Sequence, residues 1–476
     1  MLKLSRIIVP AFFLMSCTKM IEVPQPINSI TTVEMFKTNN QANTAMAGVY
    51  TQLVNGALSF SNGYTTILGG MSADEISYYG TGDAHMLSFT PNQLLFNNSY
   101  TSQVWTSAYN VIYDANAVLE GIAGSDSPEF SDSLRTKLTG EAKFVRAFCF
   151  FYLTNLFGDV PLVLTIDFNK TRYMTKTPAT EVYRQIIQDL KDAYDMVGVN
   201  YPSPGAEPER IVPNKAVVAA MLARTYLYTK DYTNAAAQAT AIIDNVSRYK
   251  LETDPNKVFA PASKEAIWQL KQNTTAVNFL NATGEGHTMI PSPLATGIAN
   301  YSLTASLLSA FEPGDIRKTA WTGVTNYNGT PLTYAYKYKL GKHNAVSGAA
   351  SSEYYMVFRL AEMYLIRAEA AVNGAPGGLS AAITDLNAIR LRAKLQPLSA
   401  SLNEEQVKAA IAQERRTELF VEWGHRWLDL KRTGQANAVL SAVLAKQPWA
   451  GDYQLLYPVP PLEIDVNPRI KQNDGY

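Results

Sequence analysis

The sequence is short of cysteine and histidine and carries no excess of either charge. Its four histidines, His85, His287, His343 and His425, are scattered, and no H-E-x-x-H or paired Cys/His spacing occurs. That excludes the usual transition-metal centres, and no metal or other cofactor is expected. Lysine plus arginine and aspartate plus glutamate number 41 each. A chain with zero formal charge has no bulk attraction to nucleic acid, so no nucleic-acid partner is expected. The phosphate-binding P-loop, the dinucleotide glycine pattern G-x-G-x-x-G and the G-x-S-x-G elbow are all missing. Beyond the N-terminus no apolar run reaches the ~18 residues of a membrane-spanning helix. A glycosidase needs only two carboxylates ~5–9.5 Å apart, which any fold can supply. Asp74 and Glu75 are the candidates for that chemistry, with a turn or capping role as the alternative.

What is present is apolar and aromatic. Hydrophobic residues make up 47 % of the chain, enough for a sizeable core, and 27 residues are tyrosine. Tyrosine joins a flat apolar face to a hydroxyl, which suits wet interfaces and sugars. The two cysteines differ in setting. Cys149 lies in an apolar segment and reads as an inert core residue. Cys17 follows Lys3, Arg6 and the apolar run 7–15, the pattern of a secretory signal peptide. Leu14-Met15-Ser16-Cys17 looks like a bacterial lipobox, which implies a signal peptide at 1–16, a lipidated Cys17 and a tether over 17–30.

Residues 133–157 predict a long helix, apolar on nearly every face over 144–157, which neighbours must bury on several sides. Arg146 in its midst needs a carboxylate partner. Helical spacing also marks 31–53, a segment from 102, 178–196, 214–228 and 232–246, then 355–372, 379–392, 403–423 and 426–433. The pairs 214–246 and 355–392 approximate tetratricopeptide helix–turn–helix units of ~34 residues, with about four such units in all. Residues 55–101 and 247–352 are rich in Gly, Asn, Thr and Tyr, with strand candidates at 266–270 and 334–340. The fold expected is mainly α: a helical-repeat scaffold (about 31–54, 102–246 and 355–433) with an irregular, loop-rich, minor-β ligand-facing half (about 55–101, 247–352 and 434–476). Residues 31–476 form one domain. Glu414, Arg415, Arg416, Glu418, Arg426, Asp429, Lys431 and Arg432 read as a salt-bridge network clamping helices, and Trp105, Trp423 and Trp427 as packing residues.

Several motifs run through the chain in order. They are Trp105-x3-Tyr109-x2-Ile112-x3-Asn116; Glu141-Ala142-x3-Arg146-Ala147 through Phe157-Gly158-Asp159-Val160-Pro161; Ala223-Arg224-x-Tyr226-Leu227; Arg359-Leu360-Ala361-Glu362-Met363-Tyr364-Leu365; Leu386-Asn387-x-Ile389-Arg390-x-Arg392; Glu414-Arg415-Arg416-x-Glu418-Leu419 with Gly424-His425-Arg426-Trp427-x-Asp429-Leu430-Lys431-Arg432; and the tail Gln472-Asn473-x-Gly475-Tyr476. With the lipobox, this set resembles the SusD/RagB family of surface lipoproteins. The resemblance implies a non-catalytic, lipid-anchored protein on the outer membrane that captures oligosaccharide and delivers it to a SusC-like TonB-dependent transporter. RagB-type relatives imply peptide or another nutrient as the alternative cargo, and a glycoside hydrolase is the second alternative.

Sugar recognition needs aromatic faces for the C–H side of the ring and amides or carboxylates for its hydroxyls. The irregular segments supply both. Tyr78, Tyr79, Asp83, His85 and Asn98 are the candidates in the first, and Asn278, Phe279, Trp321 and Tyr327 in the second.

Overall fold

A reciprocal capping box between Thr38 and Gln41 starts α1 (Asn39–Leu53). There follow α2 (Tyr64–Ser72), β1 (Ile76–Tyr78), α3 (Ser99–Ala123), α4 (Asp132–Phe157), α5 (Ala179–Met196), α6 (Lys215–Tyr228) and α7 (Tyr232–Ile243). The second half contains β2 (Ala266–Leu270), α8 (Gly284–Met289), β3 (Tyr301–Leu303), β4 (Thr322–Tyr327), β5 (Thr330–Ala335) and β6 (Tyr355–Arg359). There follow α9 (Leu360–Val372), α10 (Gly378–Arg392), α11 (Glu404–Glu418) and α12 (His425–Arg432), and short helices at Ala436–Leu440 and Pro461–Val466 come after them. This computed structural model describes residues 35–54, 57–202, 208–274, 278–292, 300–327 and 329–476; the expected signal peptide, Cys17 and tether lie outside them.

The fold is mainly helical. Each long helix packs on the next: α3 on α4, α4 on α5, α5 on α6, α6 on α7, α7 on α9, and α9 on both α10 and α11. The two pairs marked by sequence spacing, α6–α7 and α9–α10, therefore lie side by side. The long apolar helix is α4, whose residues from Phe144 to Leu153 are all buried. Phe148 sits at the centre of an aromatic core, with ring centroids 5.1 Å from Tyr152, 5.2 Å from Trp268 and 5.4 Å from Trp423, each near edge-on. Cys149 is buried beside it, and burial pushes its thiol well above the ordinary range, which keeps it inert. Trp105, Trp423 and Trp427 are buried as expected.

Among the described residues the strands form three two-stranded antiparallel sheets, β1–β3, β2–β6 and β4–β5. Four sequence expectations are corrected here. Residues 355–359 are the strand β6, buried along its whole length against β2, before the helix begins at Leu360. The strand expected at 334–340 lies at Thr330–Ala335. The helix expected to run to 423 stops at Glu418. Val421 and Trp423 adopt positive φ (49° and 47°), turning the chain so that the Trp423 N–H donates to Thr66 Oγ1 at 2.8 Å. Finally, the glycine-rich stretch after residue 55 is not all loop. It contains α2, where Gly69 serves packing: a Cβ there would lie 2.8 Å from Gly424 Cα.

Arg146 finds the partner its burial requires. Its Nε and Nη2 donate to the two oxygens of Asp189 on α5 (2.8 and 2.7 Å), and its Nη1 donates to Asn116 on α3 (2.9 Å). One side chain thus ties three helices together. Asp189→Ala strands the guanidinium in the core and is expected to cost ~3–5 kcal/mol. Lys408→Ala, which breaks an exposed pair with Glu404, costs under ~1 kcal/mol. Denaturant unfolding of both variants checks the contrast; equal losses would contradict a pinning role for Arg146.

Candidate ligand-binding site

The irregular segments meet where β1 pairs with β3, with Tyr78 opposite Tyr301. Asp74, two residues before β1, fixes this pair to the scaffold. Its Oδ1 accepts from Arg426 Nε of α12 at 2.8 Å and its Oδ2 from Arg416 Nη2 of α11 at 2.6 Å. The backbone of Asp74 and Glu75 in turn holds Thr304, which follows β3: Thr304 Oγ1 donates to the Asp74 carbonyl (2.6 Å) and its N–H to that of Glu75 (3.0 Å). Glu75 is buried, its Oε2 accepts the Val421 N–H at 3.2 Å, and burial raises its carboxyl to about 8. Asp74 and Glu75 are therefore structural, and the carboxylate pair considered for glycoside hydrolysis does not face a substrate.

Beyond β1 a cluster of tyrosines surrounds one carboxylate. Asp83 Oδ1 accepts the Met86 N–H (3.0 Å), which starts a helical turn, and Oδ2 accepts the Tyr100 hydroxyl. Partial burial opposes ionisation, but these bonds hold the Asp83 carboxyl below its ordinary range, so it stays charged. The Tyr100 ring meets Tyr64 edge-on at 5.5 Å, and Tyr78 packs against Tyr301 at 5.2 Å. Burial, then the Asp83 charge, raises Tyr64 to about 12 and also raises Tyr78, so both keep their hydroxyl protons. A Cβ on Gly80 would fall 2.1 Å from the Tyr78 hydroxyl, so the absent side chain lets that ring fold back. His85 Nδ1 accepts the Ser99 N–H (3.2 Å), which leaves Nε2 to carry the ring N–H. Tyr79, Leu87, Leu95 and Phe96 are exposed, Phe96 by 58 %.

Tyr78, Tyr79, Asp83 and His85 are thus brought to one neighbourhood. Two candidates are withdrawn. Asn98 is fully buried, caps α3 through the N–H groups of Tyr100 and Thr101, and donates to the His85 carbonyl (2.8 Å), so it shapes the loop from within. Trp321 is also fully buried. Its Nε1 donates to the Pro255 carbonyl (2.9 Å), and Lys337, Arg392 and Arg359 lie 4.6, 5.5 and 5.8 Å from its ring, leaving no face for a sugar.

Asn278 is exposed, and Phe279 is half-buried with its ring edge-on to His287 at 5.3 Å. Their segment reaches α2 at Gly284, where a Cβ would lie 2.6 Å from Asn62 Oδ1, two residues before Tyr64. The Tyr327 backbone pairs with Thr330 in the β4–β5 hairpin; its side chain is outside the described residues. Sequence reasoning missed Tyr64, Tyr301 and Phe96. Phe96 could have been found as an aromatic just before an Asn helix cap, whereas Tyr64 and Tyr301 join the cluster through tertiary contacts alone.

A model of the SusD family matches residues 226–476, more than half of the chain. This chain belongs to the SusD family. A second model, described as starch-binding and associating with the outer membrane, matches residues 22–227. SusD-like protein P2 of Formosa agariphila is 27 % identical, with 97 % of both chains covered. A SusD superfamily protein from Bacteroides vulgatus shares the fold with a TM-score of 0.81 at 22 % identity, covering 93 % of this chain and all of that one. A laminarin-binding SusD-like protein (TM-score 0.74, 24 % identity, 93 % and 100 % covered) and surface glycan-binding protein A from Bacteroides fluxus (TM-score 0.74, 22 %, 92 % and 100 %) also share it. The SusD family is one of non-catalytic binding proteins, so the chain is not an enzyme.

Glu285 of α8 offers a test of how this region is built. It is buried, and burial raises its carboxyl to about 8 despite hydrogen bonds from Thr66 and Tyr355. The folded state then holds a proton that the unfolded chain releases near the ordinary carboxyl value of 4.5. Between those values the folded state binds more protons, so stability falls as pH rises from 5 towards 8, by ~1.4 kcal/mol per pH unit for one group. Glu285→Gln keeps the shape without the proton and should flatten that slope in denaturant titrations at pH 5, 6.5 and 8. An unchanged slope would contradict a protonated Glu285.

Proposed function

We propose that this SusD family member is a surface glycan-binding protein. Tyr78, Tyr79, Asp83 and His85, with Asn278, Phe279 and Tyr327 at the edge, hold an oligosaccharide for delivery to a SusC-like TonB-dependent outer-membrane transporter. The observation that carries the reading is the group of tyrosines around an ionised Asp83. Aromatic faces take the apolar side of a pyranose, while the carboxylate and the imidazole N–H bind its hydroxyls. The shared fold of the laminarin-binding and surface glycan-binding proteins supports the class of ligand. In this reading residues 1–16 are removed, Cys17 carries lipid, 17–30 form the tether, and the domain from residue 31 is displayed at the cell surface.

Calorimetry with laminarin- and starch-derived oligosaccharides tests the site. Tyr78→Ala and Tyr79→Ala are each expected to weaken binding about tenfold, ~1.4 kcal/mol per contact, and Asp83→Asn to weaken it similarly. Unchanged affinity in all three would remove this surface from the site, and a glycan panel that stays blank while peptides co-purify would favour peptide cargo. Cys17→Ala is expected to move the protein from the membrane to the soluble fraction; continued membrane attachment would refute lipidation.

A further inference from the structure

Two long stretches of the chain contain no lysine or arginine: from Lys37 to Arg135 and from Lys271 to Arg317 nothing basic intervenes except histidine. The tyrosine cluster is built from these stretches. Tyr64, Tyr78, Asp83 and Tyr100 come from the first, and Tyr301 comes from the second. The exposed side chains beside it, Leu87, Leu95 and Phe96, are apolar.

The rest of the chain does not make up the missing cations. Arg416 and Arg426 reach towards β1 from α11 and α12, but both end on the Asp74 carboxylate (2.6 and 2.8 Å). Lys446 is buried, donates to the Met71 and Phe89 carbonyls, and has its amine lowered by burial to about 7. Lys342 is exposed and faces His287, at the Phe279 edge. Among the described residues Asp83 has no lysine or arginine partner. Its oxygens accept the Met86 N–H and the Tyr100 hydroxyl, and the base beside it is the His85 imidazole.

An anionic group brought onto this surface meets a carboxylate with no lysine or arginine to offset it. It also meets tyrosine faces, which carry the negative side of the ring quadrupole. The hydration it gives up is not returned by any charge on the protein. An uncharged sugar avoids that cost: its C–H face lies on the rings and its hydroxyls donate to the carboxylate.

We propose that the tyrosine cluster selects uncharged oligosaccharide and rejects glycans bearing carboxylate or sulfate groups, with Asp83 as the residue that sets the discrimination. The inference rests on the cluster being the glycan site and adds the class of glycan it takes.

Matched ligands test it: laminarin- and starch-derived oligosaccharides, and the same chains with their C6 hydroxyls oxidised to carboxylates. Both forms are titrated calorimetrically into the whole protein at pH 8, clear of imidazole titration. At low ionic strength the oxidised form is expected to bind about tenfold more weakly than its parent. Added salt should narrow the gap by screening. Asp83→Asn keeps an acceptor for Met86 and Tyr100 and should narrow it too; if that variant does not fold, the salt dependence decides. Equal affinity for the two forms, or a gap that neither salt nor Asp83→Asn changes, overturns the selectivity while leaving the glycan site in place. No binding of either form overturns both.

Discussion

Everything else in this protein leans on the carboxylate of Glu418. Fully buried at the end of α11, it receives Arg317 Nη1 at 3.0 Å together with Arg359 and Arg392. Burial alone would neutralise it, but Arg392, Arg359 and Arg317 hold its carboxyl well below the ordinary range. The arginines reach further: Arg359 to Glu422 (2.8 Å) and Glu265 (2.9 Å), Arg317 to Glu414 (3.0 Å) and Asp315 (2.7 Å). Such a network contributes little net stability over an apolar core, but each member is dangerous to remove alone. What it supplies is registry. Strands β2 and β6, helices α10 and α11 and the segment before β4 can satisfy these charges in one arrangement.

That registry is passed outward. Asp74 is bound by α11 and α12 on one side and begins the approach to β1 on the other, and its backbone carries the residue after β3. The tyrosines therefore stand on short strands that would be marginal alone but are bolted to long helices. A binding surface of this kind keeps its rings in place before ligand arrives, which lowers the ordering cost of binding.

The scaffold was legible in the sequence because its signals are local. Helical periodicity located α4 within a residue at its start, and an arginine inside an apolar helix demanded a carboxylate, which Asp189 provides. The family motifs now have physical roles. Arg224 pairs with Glu362 (2.7 and 2.6 Å), Arg390 with Glu414 (2.8 Å), and Asn473 in the tail donates to the Phe157 carbonyl at the end of α4 (2.8 Å). These residues mark the frame, not the ligand surface. The site was less legible because an exposed aromatic and a buried one look alike in sequence. Trp321 lies in a segment rich in polar and aromatic residues, yet it stacks among the charges of the network, while Tyr301 reaches Tyr78 through a pairing 223 residues long that no local pattern announces. Glycines misled for a related reason: Gly69 marks a close helix contact with Gly424, not a loop.

The helices carry the frame, and in the function proposed above the tyrosine cluster beyond β1 carries the ligand. A crystal structure with a bound glucan oligosaccharide tests it most directly. The expected result is a sugar ring lying against Tyr78 or Tyr79 with a hydroxyl on Asp83. A sugar seated against the helices instead, with the tyrosines untouched, would contradict that division.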